Sequence, residues 1–283
     1  MAGKSKGLIV LIHGLWMIPE SWEKWAARYM DMGYHVFTPT WSVLEGARLR
    51  DVRSDPSVLR GFGVREMFRD LRTFIEKLDS PPILMGHSFG GLMVQLLLNE
   101  GLGSAGVAIH PAQTKGVYRL PPTTISAAWP ALKNPFDVEG IVDLSFNQFC
   151  EVFATGVPRT EVRQAYTEYY IPAPKRPLIQ VALSNLTPHA PNTVDYKNPI
   201  RAPLLFVAGT DDRLTPPSVV KENCGNYQTP TKTEFKLYQG RSHFTLSQSG
   251  WEKVADDCLR WAVANREVAF NVEDRDEGIS APH

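Results

Sequence analysis

The stretch LMGHSFGG, at residues 84–91, is the most informative part of this 283-residue chain. It includes the end of an apolar run at 82–85, which has the length of a buried strand. A second apolar run follows at 92–98 and has the character of a buried helix. The core of the stretch reads G-x-S-x-G, with Ser88 at its centre. A serine between glycines at this junction predicts a sharp strand-to-helix turn.

Ser88 has two interpretations in this context. On a strained turn it is a nucleophile, and Gly86 and Gly90 leave out the side chains that would collide with the following helix. Gly91 then lets the start of the helix pack closely on the strand. In the alternative interpretation, Ser88 is a turn serine that caps the helix. The strand–turn–helix context favours the nucleophile, which requires a base and an orienting acid further along the chain.

Composition and charge exclude several classes of protein. The chain has 30 basic and 30 acidic residues, so nothing favours binding to nucleic acid or to an anionic membrane surface. Hydrophobic residues make up 43 %, which is ordinary for a globular protein. Seven Trp and thirteen Phe are enough for an apolar pocket as well as a core. We therefore expect a small-molecule substrate as the partner, and a monomer or homodimer.

The cysteines and the apolar runs bear on disulfides, metal sites and cellular location. Cys150, Cys224 and Cys258 are widely spaced without a C-x-x-C pair, which favours neither a disulfide framework nor a zinc site. The apolar run at 8–12 is too short for a signal-peptide core and is interpreted as a strand. We expect no membrane span, because no run reaches the roughly 18 apolar residues required. The expected location is the cytoplasm, and no cofactor or metal is expected.

Short apolar runs alternate with amphipathic stretches through most of the chain, which predicts a parallel sheet covered by helices on both faces. Helical spacing is clear between Trp22 and Met30, at 63–78 and at 249–264. The predicted strands are 8–12, 34–37, 82–85, 105–109, 204–207 and 234–238.

Residues 112–200 break this alternation. They are rich in Pro and aromatic residues, include helix-like patches and lack a clear buried strand. We interpret them as an inserted helical cap. The predicted core domain then comprises residues 1–111 and 201–265, and residues 266–283 form a charged, loose C-terminal tail.

Three further motifs lie at predicted strand ends. HGLW at 13–16 follows the first strand. GTDDRLTPP at 209–217 follows the fifth, and YQGRSHF at 238–244 follows the last. Strand-end loops are where an α/β fold places its chemistry.

Together with the serine turn, these motifs resemble the α/β-hydrolase superfamily, in particular its capped small-molecule esterases and lactonases. The resemblance covers nearly the whole chain. It implies the chain order nucleophile, acid, base, with Ser88 first. The 209–217 loop resembles the family's G-x-x-D turn and implies Asp212 as the acid, with Asp211 as a turn-capping alternative. The 238–244 loop resembles the G-x-x-H turn and implies His243 as the base.

The loop at 13–16 resembles the family's H-G-x motif. It implies an oxyanion hole made of the backbone N–H groups of Leu15 and Phe89, with His13 organising the loop. His87 and His110 also lie at strand ends and could line the site, whereas the remaining three histidines have no supporting context. The chain has little room for the family's opening hairpin, so we expect about six strands, mostly or entirely parallel.

The sequence says less about the substrate. Aromatic residues that could line an apolar pocket are Trp16, Trp129, Phe149, Phe153 and Phe244, although core packing explains the cap aromatics as well. We expect cleavage of an ester, lactone or thioester of a small to medium apolar molecule. The alternatives are a C–C bond hydrolase or lyase, an acyltransferase or perhydrolase, and a ligand-binding receptor. The plant hydroxynitrile lyases of the family have a lysine beside the base, which this chain lacks.

Overall fold

The computed structural model describes residues 5–134 and 136–266. These residues form eight strands, in chain order β1 (Leu8–Ile12), β2 (His35–Phe37), β3 (Ile83–His87), β4 (Ala105–Ile109), β5 (Ile141–Val142), β6 (Ala173–Pro174), β7 (Leu204–Gly209) and β8 (Thr233–Tyr238). Six of them make one sheet in the order β2-β1-β3-β4-β7-β8, and every neighbouring pair in it is parallel. The other two, β5 and β6, form a short antiparallel pair.

Ten α-helices connect or cover the strands in the described part of the chain. They are α1 (Glu23–Asp31), α2 (Leu49–Ser54), α3 (Val64–Ile75), α4 (Phe89–Asn99), α5 (Pro122–Leu132), α6 (Phe146–Val152), α7 (Arg159–Tyr169), α8 (Lys175–Ala182), α9 (Pro217–Gly225) and α10 (Trp251–Asn265). Helices α5 to α8 and the β5–β6 pair all lie between β4 and β7, which are neighbours in the large sheet. The described residues of that segment add no strand to the large sheet.

The predicted α/β class, with about six parallel strands flanked by helices, is confirmed. All six predicted strands are present. β1 and β4 have the predicted bounds, β2 is one residue shorter, and β3, β7 and β8 are one or two residues longer. The β5–β6 pair was not predicted, because two-residue strands leave no periodicity in the sequence. The predicted tail, apart from Arg266, lies outside the described residues.

Both faces of the sheet are buried, because side chains of successive strand residues point to opposite sides. In β1, Ile9 and Leu11 join the apolar cluster beneath α1 and α10, whereas Val10 and Ile12 join the cluster that contains residues of α3 and α4. Helix α1 contributes Trp25 and Tyr29, both fully buried. Met30, which we expected on the same helix face, is 52 % exposed, because it follows Tyr29 by one residue and points about 100° away.

The turn between β3 and α4 is closed so tightly that only glycine fits at its flanks. A Cβ atom on Gly90 would lie 2.0 Å from the Ile12 carbonyl oxygen, and one on Gly86 would lie 2.1 Å from the Gly90 carbonyl oxygen. Both obstacles are backbone atoms, so a side chain cannot be accommodated by a rotamer change. The turn therefore positions Ser88 against the end of β1.

Gly90→Ala is expected to lower the free energy of unfolding by at least about 3 kcal/mol, since the backbone of β1 or α4 must move. Gly225→Ala is the matched control, because the added Cβ would have no atom within 4 Å other than those of its chain neighbours and its own helix backbone. We expect the control to change stability by less than about 1 kcal/mol. Urea denaturation of both variants measures the difference, and equal stabilities would contradict the packing described for this turn.

The parallel arrangement brings the carboxyl ends of β1, β3, β4, β7 and β8 to one edge of the sheet. The loops that follow these strands hold all four sequence motifs. Within the described residues, no helix combines the length and apolar character needed to span a membrane.

Candidate active site

Ser88 lies on a strained backbone between β3 and α4. Its φ of 57° and ψ of −119° are rarely adopted by residues other than glycine. Its N–H donates to the Ile109 carbonyl at 3.0 Å, and its own carbonyl accepts from Ala112 N–H at 3.0 Å. The end of β4 therefore holds the turn in place. The side chain is almost completely buried and lines a cavity.

His243 and Asp212 meet at the same edge of the sheet. His243 Nδ1 donates to Asp212 Oδ2 at 2.8 Å, and both side chains are fully buried. The other carboxylate oxygen, Oδ1, accepts from the N–H groups of Leu214 and Thr215 at 2.8 and 2.9 Å. Asp211, the alternative acid, is exposed and accepts from the neighbouring Thr210 hydroxyl. The geometry thus pairs Asp212 with the histidine.

Electrostatics keep the Asp212 carboxyl ionised. Burial alone would raise its pKa, but His243 and the hydrogen bonds from His110 and His243 outweigh burial and hold the pKa well below its usual range. An ionised carboxylate only accepts hydrogen bonds, so Nδ1 of His243 carries the hydrogen. The other ring nitrogen, Nε2, is then free to accept a proton.

Nε2 of His243 is buried and has no hydrogen-bond partner among the described residues. The loop that carries it is fixed by His87, whose Nε2 donates to the His243 carbonyl at 2.9 Å. The two imidazole centroids are 4.6 Å apart. Because His87 directly precedes Ser88, this contact places the His243 loop beside the serine turn.

The loop after β1 lies against the other side of Ser88. A Cβ atom on Gly14 would lie 2.8 Å from Ser88 Cβ and 3.4 Å from the Phe89 backbone nitrogen. In the described chain, the N–H groups of Leu15 and Phe89 have no acceptor. His13 Nδ1 donates to the Gly14 carbonyl at 2.9 Å.

His13 should make folding stability depend on pH. Burial lowers its pKa from 6.5 to about 4, against hydrogen bonds with the Gly14 and Met17 backbone. Between these values the unfolded chain binds a proton that the folded protein excludes, so stability decreases as pH falls. We expect this group to remove up to about 3 kcal/mol from the free energy of unfolding between pH 7 and 4. His13→Gln should lose that part of the pH dependence when the free energy of unfolding is measured by denaturation at a series of pH values. The same pH dependence in the wild type and the variant would contradict this expectation.

A cavity of about 280 Å³ opens beside Ser88. Ten of its fifteen lining residues come from 112–200, and none of the fifteen has a charged side chain. Lining residues from outside this segment include Trp16, Phe89 and Leu214. The volume is near the lower end for ligand pockets, and the lining suits a small to medium apolar molecule.

The five predicted substrate-binding residues lie in different places. Trp16 lines the cavity and donates from Nε1 to the Val142 carbonyl at 3.1 Å. Trp129 is 59 % exposed and does not line the cavity, so its position does not support the predicted role. Phe149, Phe153 and Phe244 are buried, and the Phe153 ring lies 4.9 Å from the His243 ring. Phe149 stacks on Phe153, and none of the three lines the cavity.

Two residues of the site were not assigned from the sequence. His110 Nδ1 donates to Asp212 Oδ2 at 2.6 Å, and the Thr215 hydroxyl lies 2.9 Å from the same oxygen. The position of His110 at a strand end was the available signal. His110, Asp212 and His243 also offer three donor atoms within 4.8 Å that could hold a metal ion. The hydrogen bonds use these same atoms, so ion binding would replace them.

The parallel sheet with a serine, a histidine and an aspartate at its carboxyl edge defines a class of α/β enzymes with a strand-to-helix serine turn. The sequence model of the alpha/beta hydrolase family matches residues 9–257. The chain therefore belongs to the alpha/beta hydrolase family and is a hydrolase.

Solved structures share this fold. A monoacylglycerol lipase from Paleococcus ferrophilus is 20 % identical, with a TM-score of 0.64 over 92 % of this chain and 95 % of its own. A methylesterase from Arabidopsis is 17 % identical, with a TM-score of 0.64 over 91 % and 99 %. A pyrethroid hydrolase from Sphingobium faniae is 17 % identical, with a TM-score of 0.60 over 91 % and 98 %. A search of curated proteins found no match.

Proposed function

We propose that the protein hydrolyses an ester, thioester or lactone of a small to medium apolar molecule, with Ser88 as nucleophile. The observation that carries the proposal is the His243–Asp212 hydrogen bond, which leaves Nε2 of a buried imidazole free beside a strained serine turn. The similar folds of a lipase, a methylesterase and a pyrethroid hydrolase support ester chemistry.

Each residue of the site has its own role in the proposed reaction. His243 Nε2 takes the proton from the Ser88 hydroxyl as the oxygen attacks the carbonyl carbon. The N–H groups of Leu15 and Phe89 stabilise the resulting oxyanion, and each such donor is worth about 3–4 kcal/mol in comparable sites. His243 then gives its proton to the leaving alcohol. Water, activated by the same imidazole, releases the acid from Ser88.

Asp212 fixes the tautomer of His243 and stabilises its charged form during both steps. Residues 112–200 act as a cap in this proposal, because they supply most of the cavity lining. The absence of charge among the lining residues, within the described chain, favours a neutral acyl or alcohol group.

The position of Arg241 favours hydrolysis over a lyase reaction. This cation precedes the base by two residues, but its guanidinium donates to the Ser249 carbonyl at 2.6 Å and to the Thr245 carbonyl at 3.1 Å. It stabilises the loop that follows β8. It is therefore not free to serve the substrate.

A substrate panel tests the proposed function. p-Nitrophenyl esters of increasing chain length, simple lactones, thioesters and β-diketones are incubated with the full chain, and product release is measured. We expect turnover of neutral esters or lactones and none of β-diketones. Turnover of β-diketones alone would favour a C–C hydrolase, and faster reaction with added alcohol or peroxide would favour an acyltransferase or perhydrolase. Tight ligand binding without any turnover would favour a receptor.

Ala182→Phe should make the cavity selective for short acyl groups. Ala182 lines the cavity from the end of α8, so an added ring reduces the space beside Ser88. We expect KM for the longest ester accepted by the wild type to rise by about 10-fold or more, with a change below about 3-fold for the acetate. Leu186→Phe, at an 83 % exposed position just after α8, is the control. An equal rise in KM in both variants would indicate that the substrate binds outside this cavity.

A further inference from the structure

Asp212 Oδ2 accepts hydrogen bonds from two buried imidazoles. His110 Nδ1 lies 2.6 Å from this oxygen and His243 Nδ1 lies 2.8 Å from it. The side chains of all three residues are fully buried. The proposed mechanism requires only His243, so the second imidazole has no assigned role.

The strained backbone of His110 places its imidazole ring next to Asp212. Three residues other than glycine have positive φ in the described chain, namely Trp16, Ser88 and His110, and all three lie at the site. The φ of His110 is 46°. Such conformations cost about 1–3 kcal/mol and persist where the surroundings fix them.

Contacts with β7 and its loop fix the His110 backbone. Its N–H donates to the Val207 carbonyl at 2.8 Å, and its carbonyl lies 3.0 Å from the Thr215 hydroxyl. That hydroxyl is also 2.9 Å from Asp212 Oδ2, so it links the two residues. The end of β4 and the acid loop therefore form one hydrogen-bonded unit.

The protonation state of His110 follows from its partners. The carboxylate only accepts, so Nδ1 of His110 carries the hydrogen. Its Nε2 is buried without a partner among the described residues, so a second proton there would leave an unpaired buried charge. The nearby titratable or charged groups are Asp212, His243, His87 and Arg241. Burial lowers the pKa of His110, against the hydrogen bond to Asp212, and this keeps the ring neutral at neutral pH.

We propose that His110 is a positioning residue, a hydrogen-bond donor that fixes the Asp212 carboxylate in the orientation in which Oδ2 accepts from His243 Nδ1. The inference rests on the proposed function. Without this donor, Oδ2 is held less firmly against His243 Nδ1, and the imidazole is oriented less precisely toward the Ser88 proton.

His110→Leu removes the donor and retains an apolar side chain. We expect kcat to fall by about 10- to 100-fold, as expected for losing a hydrogen bond to a charged group, with KM changed by less than about 2-fold. His110→Asn, which can present an amide N–H near the position of Nδ1, should restore kcat to within about 3-fold of the wild type.

The control is His35→Leu, at an exposed position on the edge strand β2. Assays contain EDTA, because the same three donor atoms could bind a divalent cation. Equal losses of kcat in the Leu and Asn variants would overturn the proposal, as would wild-type kinetics in His110→Leu. If Ser88→Ala retains full activity, the proposed function fails instead, so the two failures are distinguishable.

A measurement on the wild type covers the case in which His110→Leu does not fold. Histidine labelled with ¹⁵N reports the tautomer and charge of each ring by NMR, and His110→Asn assigns the His110 signals. We expect His110 to remain neutral with its hydrogen on Nδ1 between pH 6 and 8. A ring that is protonated in this range, or that carries its hydrogen on Nε2, would overturn the proposal.

Discussion

Ser88→Ala is expected to lower kcat for the best ester substrate by about 10⁴- to 10⁶-fold, because the acyl-enzyme can no longer form. The loss should appear in kcat rather than in KM, since the cavity is lined mainly by other residues. Folding should be unaffected, because alanine can occupy the same backbone and adds no atom to the turn. Steady-state kinetics and circular dichroism on the purified variant measure both effects.

Ser104→Ala is the matched control for this variant. Ser104 is also buried, but it lies just before β4, at the opposite edge of the sheet. We expect its kcat to stay within about 3-fold of the wild type, since it touches no group of the site. Activity of Ser88→Ala within 10-fold of the wild type would mean that another residue attacks the substrate.

Asp212→Asn is expected to lower kcat by about 10⁴-fold while leaving the fold intact. An amide NH₂ at the position of Oδ2 would face the Nδ1 hydrogens of both His243 and His110. His243 would then accept at Nδ1 and carry its hydrogen on Nε2, where it cannot take the Ser88 proton. Since Oδ1 can still accept from Leu214 and Thr215, the loop keeps its backbone contacts.

Asp211 provides a strict control, because either aspartate could be the acid on the evidence of the sequence. Asp211→Asn changes the same charge one residue away, at an exposed position that does not contact His243. Its kcat should remain within about 3-fold of the wild type. Similar losses in the two variants would indicate a general effect of charge on the loop, and a larger loss in Asp211→Asn would reverse the assignment.

The sheet and the serine turn could be predicted because their signals are local. A buried parallel strand is a short apolar run, and each of the six runs singled out in the sequence is a strand of the large sheet. The steric need for glycine at 86 and 90 is also local, since a Cβ atom at either would meet backbone within about 2 Å. Parallel strands then bring their carboxyl ends together, so residues far apart in sequence could be expected at one site.

The surroundings of the site could not be predicted in the same way. Helices α5 and α8 both line the cavity, but which of their side chains point inward depends on how the helices pack. An aromatic residue in such a segment can lie on the surface or line the pocket, and Trp129 is exposed. The contact between His110 and Asp212 joins residues 102 apart in sequence, and it exists because β4 and β7 are neighbours.

Labelling with a fluorophosphonate tests the central claim that Ser88 is an activated nucleophile. The Ser88 oxygen should displace fluoride from phosphorus, and mass spectrometry of the intact protein should show one added phosphonyl group, located by peptide mapping on Ser88. Ser88→Ala should remain unlabelled, and Asp212→Asn should react far more slowly than the wild type. An unlabelled wild type, or equal labelling of Ser88→Ala, would contradict the account.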